Sequence, residues 1–274
     1  MIEIPEAFVL ARQLTTVLSG KVIRSAVAAQ SPHAFAWYSG DPADYASRLS
    51  GKSLGAAVSR GGMVEMEVED VALLFTDGIN LRYHSSADQQ PCKHQLLVEF
   101  EDATSLSATV AMYGGLWCFS HGSNDNPYYL AAHDKPSPLT DEFNDPYFSG
   151  LFLPEHDKLS LKAFLATQQR IPGLGNGVLQ DILYRASLHP KRKVNSLKAG
   201  DKEILFKAVK DVLSDMAQSG GRDTERDLFG NPGGYGTCMS KNTVGKACPA
   251  CGSLIQKQAY LGGSIYFCPG CQKE

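Results

Sequence analysis

The sequence predicts an α+β fold of several domains, with an N-terminal helix and a β-sandwich, then a group of helices, then a four-cysteine β-hairpin. Three observations predict it. Short β segments fill residues 21–119, helical patterns with one apolar face fill residues 159–218, and two Cys-x-x-Cys pairs lie within residues 248–271. The chain has 274 residues, 43% hydrophobic and 20% charged, which is enough to form two modest folded domains.

The first 120 residues are predicted to form one helix and a β-sandwich. From Pro5 to Leu18 apolar residues recur at helical spacing, and Gly20 ends the helix. Short segments separated by Gly, Asp, Asn and Ser follow, which is typical of an antiparallel sandwich. The predicted strands include Lys21–Ala28, Met63–Val68, Val71–Thr76, Gln95–Glu101 and Ser105–Val110.

Helical patterns dominate after a predicted linker. Residues 121–150 hold several prolines and many polar residues, which favours a connecting segment. Three helices are predicted, at Leu159–Thr167, Asn176–Ala186 and Asp201–Gln218, and a Gly-rich loop follows at Asp227–Lys246. We therefore expect a sandwich domain at 1–120, a linker at 121–150, a helical domain at 151–235 and a cysteine domain at 236–274.

The last four cysteines have the spacing of a metal site. Cys248, Cys251, Cys268 and Cys271 form the pattern C-x2-C-x16-C-x2-C, which lies within the window for tetrahedral zinc. Strands at Leu254–Tyr260 and Ser264–Phe267, with Gly262-Gly263 as the turn, would join the two pairs. We expect one structural Zn²⁺ per chain, because four thiolates leave no position for a reactive water. The alternative is a pair of disulfides or free thiols.

Charge is distributed unevenly along the chain. Residues 1–150 carry 9 basic and 18 acidic residues, whereas residues 151–274 carry 17 basic and 11 acidic residues. A basic C-terminal part favours a polyanionic partner, although chance clustering on solvated faces is the alternative. No apolar run approaches the roughly 20 residues that span a bilayer. The start of the chain is acidic, so we expect no export signal and a cytoplasmic location.

A glycine-rich turn lies between the first two helices of the helical domain. Gly173 and Gly175 allow close approach of a partner to the backbone, and Asn176 opens the next helix. The free N–H groups of a helix N-terminus favour a phosphate, and Asn176 adds a side-chain donor. The alternative is an ordinary helix N-cap after a glycine turn.

These features in this order resemble the formamidopyrimidine-DNA glycosylase / endonuclease VIII family. The segments that carry the resemblance are Ile2–Phe8, the run IPGLGNGVLQDILYRASLHP at residues 171–190, and Cys248–Gln272. It extends over nearly the whole chain. It implies a helix–two-turn–helix domain and a zinc finger behind the β-sandwich, with duplex DNA in the cleft between the lobes. It also implies an enzyme that flips a damaged base out of DNA and breaks its N-glycosidic bond.

The resemblance assigns roles to particular side chains. Glu3 matches the catalytic glutamate, which handles protons or stabilises an oxocarbenium-like sugar, and Glu6 matches a second glutamate near the N-terminus. The residues that match DNA contacts are Asn176, Lys162, His94, Tyr113 and Gly175. Without the resemblance, Glu3 and Glu6 would be acidic residues at a helix start, and the others a surface lysine, a strand-end histidine, a core tyrosine and turn residues.

The chain departs from the family at the positions of its amine chemistry. In the typical member the amine of an N-terminal proline attacks the sugar C1′, but Ile2 stands here. Because Ile is bulky, we expect Met1 to be retained and to carry the terminal amine. The lysine that promotes strand cleavage in the family aligns with Gly62.

Other departures affect the grip on DNA. The hairpin arginine that holds phosphates aligns with Gly263. The wedge residues that fill the gap left by a flipped base align with Asp77, Met112 and Tyr113, of which Tyr113 retains aromatic character. The loop before Tyr235 aligns with the segment that encloses the flipped base, so Tyr235 is a candidate for stacking on it.

Several functions remain open on these residues. The first is a DNA glycosylase with weak or absent AP-lyase activity, in which Glu3 activates water or the Met1 amine acts as a poorer nucleophile. The second is a bifunctional glycosylase that uses other residues of the basic loop, with candidates Arg222, Arg226, Lys241 and Lys246.

The third is a non-catalytic protein that binds DNA lesions, and the fourth is a structural protein unrelated to DNA. We favour the first. Its partner would be double-stranded DNA with damaged bases or abasic sites, the protein would be a monomer away from membranes, and in a bacterium it would lie at the nucleoid.

Overall fold

The computed structural model describes residues 1–86 and 90–273. Among these residues, the N-terminal lobe contains an N-terminal helix and nine strands. The strands are β1 (Ile23–Ala28), β2 (Ala36–Tyr38), β3 (Leu54–Arg60), β4 (Met63–Val68), β5 (Val71–Phe75), β6 (Ile79–His84), β7 (Leu96–Phe100), β8 (Ser105–Val110) and β9 (Gly114–Ser120). The helices of this lobe are α1 (Ile4–Leu18) and α2 (Tyr45–Leu49). The N-terminal helix and most of the predicted strands are confirmed.

The strands form two sheets, as expected for a sandwich. One sheet has the order β1-β7-β8-β6 and the other β2-β9-β5-β4-β3. The β2–β9 pair is parallel, whereas the other named strand pairs are antiparallel. Alternate side chains of β4 face inward, and fully buried β5 lies between β4 and β9. The resulting core joins both sheets to one face of α1.

The helical lobe has its own apolar core. Its helices are α4 (Asp145–Gly150), α5 (Leu161–Ala166), α6 (Val178–Arg185) and α7 (Ala199–Gln218). Helix α3 (Pro127–Asp134) comes before them in the chain and packs on the sandwich, where Ala132 contacts a cluster that includes Leu74 and Phe119. The apolar face of α7 packs against α6, in agreement with the periodicity of residues 201–218. The region predicted as a linker contains α3 and α4, each with an asparagine N-cap and a proline in its first turn. The three boundaries between the four predicted segments stay predictions.

Helix α1 lies between the two lobes. Its residues Ala7, Leu10 and Leu14 belong to the sandwich core, while Ile4 belongs to the helical core. It contacts β3 and β4 on one side and α7 on the other. The segment that precedes α1 is therefore held at the junction of the lobes.

The segment after α7 returns to the N-terminal lobe. Leu228 is fully buried in the sandwich core, its main-chain nitrogen donates to Gln13 (3.0 Å), and its carbonyl accepts from Tyr83 (3.0 Å). This segment, predicted as a loop, has irregular backbone fixed by specific contacts.

The cysteine region forms a hairpin of β10 (Gln256–Tyr260) and β11 (Gly263–Phe267). The predicted turn at Gly262-Gly263 is wrong by one residue, because Gly263 already pairs with Tyr260 and the turn is Leu261-Gly262. The hairpin lies on α6, where the Gln180 side chain accepts from the main-chain nitrogen of Tyr266 (3.1 Å). Across the described ranges, no helix combines the length and apolarity needed to cross a bilayer.

Candidate functional site

A cleft of about 1230 Å³ lies where the sandwich, the helical lobe and the hairpin meet. Most of the side chains predicted to act on DNA line it. These are Met1, Glu3, Tyr113, Lys162, Gly175 and Asn176. They come from segments far apart in sequence, which α1 and α6 bring together.

Glu3 is buried at the floor of the cleft and caps helix α6. Its Oε1 accepts from the main-chain nitrogen of Gly177 (2.9 Å) and its Oε2 from that of Val178 (2.8 Å). Burial raises the pKa of Glu3, while the positive charge of Arg222 and the two amide hydrogen bonds act in the opposite direction. The helix N-terminus that the sequence predicts as a phosphate site therefore holds a carboxylate of the same chain.

Arg222 joins the two N-terminal glutamates. Its Nη1 lies 3.5 Å from Glu3 Oε2, and its Nε and Nη2 donate to the two oxygens of Glu6 at 2.9 and 2.7 Å. All three side chains are nearly excluded from solvent, with exposed fractions of 3–5%. The two carboxylates raise the pKa of Arg222, so the group is a fixed positive charge beneath the cleft.

The N-terminal residues are held in place. Ile2 is buried in the sandwich core, and its nitrogen donates to the Asp77 carbonyl (2.6 Å). The terminal amine of Met1 forms an ion pair with Glu225, and the Met1 carbonyl accepts from Arg222 (3.3 Å). The amine that the sequence offers as a nucleophile is thus paired with a carboxylate.

Glycines make the close approach of these segments possible. A Cβ at Gly175 would lie 2.6 Å from Glu3 Cδ, and one at Gly177 would lie 1.6 Å from Arg222 Nη1. Gly62, which aligns with the family's lysine, packs against the helical lobe, where a Cβ would lie 3.1 Å from Gly173 Cα. A lysine at position 62 would disturb this contact between lobes.

The hairpin side of the cleft carries polar donors. Lys162 Nζ donates to the Tyr260 carbonyl (2.6 Å), and Asn176 Nδ2 donates to the Ser264 carbonyl (3.0 Å). An ammonium group has three donors, so Lys162 retains two for an anion. Burial lowers the pKa of Lys162. Gly263 lies between them, because its Cβ would be 3.4 Å from Lys162 Nζ and 3.7 Å from Asn176 Nδ2.

The sandwich side of the cleft is aromatic. Trp37 is 49% exposed and its ring lies 6.0 Å from that of Tyr113, while Met112 beside them is 63% exposed. The Tyr113 hydroxyl lies near the Asp77 carboxyl, where it opposes the rise in the pKa of Asp77 that burial causes, and Asp77 also lines the cleft. Exposed rings at such a site suit stacking on nucleobases.

Two of the predicted site residues lie outside this cleft. Glu6 faces a small cavity on the other side of α1. His94 is buried behind the sandwich, where its Nδ1 contacts the Pro91 carbonyl (3.1 Å). Tyr235, the candidate for base stacking, packs into the helical core and interacts with buried Asp181 instead.

The four C-terminal cysteines converge. Their ligand atoms lie within 4.8 Å of one another, with Cys251 and Cys268 Sγ 3.3 Å apart and Cys248 and Cys271 Sγ 3.8 Å apart. Tetrahedral zinc with Zn–S bonds of about 2.3 Å requires sulfurs about 3.8 Å apart, so this donor set fits that metal.

Sequence reasoning missed Trp37 and gave Arg222 a different role. Trp37 lies on the three-residue strand β2, which was not predicted. Arg222 was considered as a possible catalytic residue of a loop, not as the buried partner of Glu3 and Glu6. An arginine directly after Gly220-Gly221 is a local signal, but its partners are 216 or more residues away.

Comparisons with known proteins agree with this arrangement. Residues 135–226 match the model of the formamidopyrimidine-DNA glycosylase H2TH domain. The chain is 31% identical over 191 residues to the formamidopyrimidine-DNA glycosylase of Prochlorococcus marinus (strain MIT 9312), covering 67% of this chain and 64%, just under two thirds, of the relative. It is 26% identical to the Bacillus subtilis (strain 168) formamidopyrimidine-DNA glycosylase over the full length of both.

A solved structure is also similar to this chain over nearly its whole length. Wild-type Lactococcus lactis Fpg (MutM), in complex with DNA that contains N7-benzyl-Fapy-dG, has a TM-score of 0.83 against this chain. The two are 25% identical, and the match covers 99% of this chain and the whole of the other.

Proposed function

The chain belongs to the formamidopyrimidine-DNA glycosylase family, and we propose that it is a DNA repair glycosylase that hydrolyses the N-glycosidic bond of a damaged base with weak or no AP-lyase activity. It would bind duplex DNA in the cleft and receive a flipped nucleotide beside Glu3. The named relatives and the lesion-bound structure support the glycosylase activity.

The observation that carries the lack of lyase chemistry is the state of the N-terminus. Lyase activity through a Schiff base needs a free amine that can reach the sugar C1′. Here Ile2 is buried, and the Met1 amine is paired with Glu225. Glu3, in contrast, is fixed in the cleft by two amide hydrogen bonds, and its carboxylate form would stabilise an oxocarbenium-like sugar.

The other partners follow from the same site. We propose that Asn176 and Lys162 hold the DNA backbone, that Tyr113 contacts the bases, and that Cys248, Cys251, Cys268 and Cys271 bind one structural Zn²⁺ per chain. When bound, the zinc would keep the hairpin folded and so hold Ser264 and Tyr260 against Asn176 and Lys162. We expect a monomer that acts where the chromosome lies, in the bacterial cytoplasm.

Duplex oligonucleotides with a panel of damaged bases, or with an abasic site, test the activity. Base release, strand cleavage and borohydride trapping are scored separately. We expect base release with little cleavage and no trapped complex. Trapping would show an amine nucleophile and contradict the proposed chemistry, while salt-sensitive binding without release on any lesion would favour a non-catalytic lesion binder.

Two substitutions of the Arg222 network separate chemistry from folding. Glu3→Gln and Glu6→Gln each remove one carboxylate from the same guanidinium, but only Glu3 lines the cleft. We expect Glu3→Gln to lower the single-turnover rate of base release by about 100-fold or more while DNA binding persists. We expect Glu6→Gln to retain release, so equal losses in both would assign the effect to the network. Metal analysis should find one zinc per chain.

A further inference from the structure

Glu3 is poorly placed to activate a water molecule. Its side chain is about as buried as a core residue, and its two oxygens already face two backbone N–H groups and Arg222. A carboxylate in this setting stabilises positive charge on the sugar, but offers little room for a water and its transferred proton. Hydrolysis without an amine nucleophile therefore calls for a second group in the cleft.

Asp77 occupies the required place. It lies in the turn between β5 and β6 and lines the cleft together with Ile2 and Glu3. Its carbonyl accepts the Ile2 amide at 2.6 Å, so its backbone is fixed one residue from Glu3. Its side chain is half-buried and lies near the Tyr113 hydroxyl, which lines the same cleft. The carboxyl is thus partly enclosed but still open to the cleft.

The charges around Asp77 favour a carboxylate that takes up a proton. Burial raises the pKa of Asp77, whereas the Tyr113 hydroxyl, the nearby backbone N–H and the Met1 amine lower it. Tyr113 in turn is influenced by both Asp77 and Glu3. A carboxyl whose pKa is raised towards the working pH is a more effective base than an ordinary aspartate.

From this geometry we infer that Asp77 is a catalytic residue, the general base that activates the water for base release, an inference that rests on the proposed glycosylase function. The water oxygen bonds to the sugar C1′ as the C1′–N bond breaks. The electron pair of that bond leaves with the base, which takes a proton from solvent. The proton lost by the water passes to the Asp77 carboxylate and then to solvent. Glu3 stabilises the positive sugar in between.

The two nearby carboxyl groups, Glu3 and Asp77, thus have different roles because their surroundings differ. Glu3 faces two backbone amides and a guanidinium, which oppose the effect of burial on its pKa, while Asp77 faces a phenol and the open cleft and exchanges protons. No covalent intermediate with the protein is needed. The pairing of the Met1 amine with Glu225 is then compatible with full glycosylase activity.

Asp77→Asn tests the inference, with Asp141→Asn as the control, since Asp141 is exposed and is not among the residues that line the cleft. Each variant loses one negative charge, and the Asp77 carbonyl contact to Ile2 is kept. With enzyme in excess over a lesion that the wild type processes, we expect Asp77→Asn to slow base release by about 10²–10⁴-fold. The control should release base at a rate within about threefold of the wild type, because surface substitutions away from a site have small effects. Affinity for DNA with an abasic-site analogue should not fall in either variant.

The pH dependence provides a readout that a structural role would not change. In the wild type, the rate of base release should increase with pH as Asp77 loses its proton. This increase should be absent from Asp77→Asn. Tyr113→Phe removes a hydroxyl that lowers the pKa of Asp77, so the increase of the release rate should move to higher pH in this variant. A folded Asp77→Asn protein that releases base within about threefold of the rate of Asp141→Asn overturns the inference but leaves the glycosylase function intact. A wild type inactive on all lesions overturns both.

Discussion

Arg222 shows how one side chain can support a catalytic site without entering it. Its guanidinium contacts Glu3, Glu6 and the Met1 carbonyl, which fixes the segment before α1 against the segment after α7. Two carboxylates with exposed fractions of 5% would be costly to bury without this charge. The position of Glu3 in the cleft therefore depends on a residue more than 200 positions away.

Replacement of Arg222 by Gln should destabilise the protein strongly. Removing one partner of a buried ionic group leaves the others uncompensated, at a cost of about 3–5 kcal/mol. Chemical denaturation at neutral pH measures the loss in the free energy of unfolding. Arg226→Gln is the control, since Arg226 lies in the same segment but is exposed, and we expect a change of about 0.5 kcal/mol or less. Equal effects in the two variants would contradict a central role for Arg222.

The positions of single site residues could be predicted from the sequence only where a local pattern or the family resemblance indicated them. The placement of Glu3, Asn176, Lys162 and Tyr113 in one cleft agrees with the resemblance. His94 lies elsewhere, because its match depended on counting positions in a lobe with irregular loops. The partners of Arg222 could not be predicted, since ion pairing between distant segments leaves no periodic trace in a single sequence.

At the scale of elements, the contact between the β3–β4 turn and the turn before α6 joins the lobes. Gly173 has φ +79°, and a Cβ on it would lie 2.0 Å from the Gly62 nitrogen and 2.3 Å from the Gly61 carbonyl carbon. Neither turn could approach the other with ordinary side chains. The glycines at 62 and 173 therefore serve packing, which gives a physical reason for the absence of a lysine at position 62.

Gly173→Ala should separate these turns. We expect it to lower the free energy of unfolding by about 2 kcal/mol or more, because left-handed backbone strain of about 1 kcal/mol adds to a backbone overlap. Gly122→Ala is the matched control. Gly122 has φ +76° but nothing within 4 Å of its Cβ position, so it reports the backbone strain alone. Thermal unfolding of both variants checks this, and equal losses would show that the turns move apart without cost.

The sequence predicts well the strands that residue alternation or flanking turn residues define. It does not predict elements that depend on pairing with a distant segment. Strands at Met63–Val68 and Ser105–Val110 match the predicted bounds, because alternation or flanking turn residues define them. Strand β2 has three residues and forms a parallel pair with β9, which a local pattern does not indicate. Helices α3 and α4 were not predicted, because the prolines of this region favour a linker. Those prolines in fact occupy the first turns of the two helices.

The whole molecule divides its charge between its lobes. The acidic N-terminal half supplies Glu3 and Asp77 to the cleft, and the basic C-terminal half supplies Lys162. A DNA-binding cleft with acidic residues on its floor must draw its affinity for phosphate from the helical lobe and the hairpin. The local absence of charge at Gly263, between Lys162 and Asn176, should therefore limit the affinity of the entire protein.

Gly263→Arg should strengthen DNA binding and make it more sensitive to salt. There is room for a Cβ at this position, since its nearest neighbours would be the flexible side-chain ends of Lys162 and Asn176, at 3.4 Å or more. A new charge-assisted bond to phosphate is worth about 1.5 kcal/mol, which corresponds to about tenfold in affinity. Because one more phosphate is neutralised, the slope of log K against log salt should steepen by about 1.

Gly263→Gln separates charge from size in this experiment. It adds a side chain of similar reach without a charge, so its salt slope should equal that of the wild type. Titrations of a fluorescent duplex with an abasic-site analogue, at several salt concentrations, measure both quantities. If Arg and Gln variants gave the same slope, position 263 would not face phosphate, and the DNA would have to follow a path on the other side of the hairpin. A steeper slope in the Arg variant alone would place the backbone of the lesion strand beside Lys162 and Asn176, within the same cleft as Glu3 and Asp77.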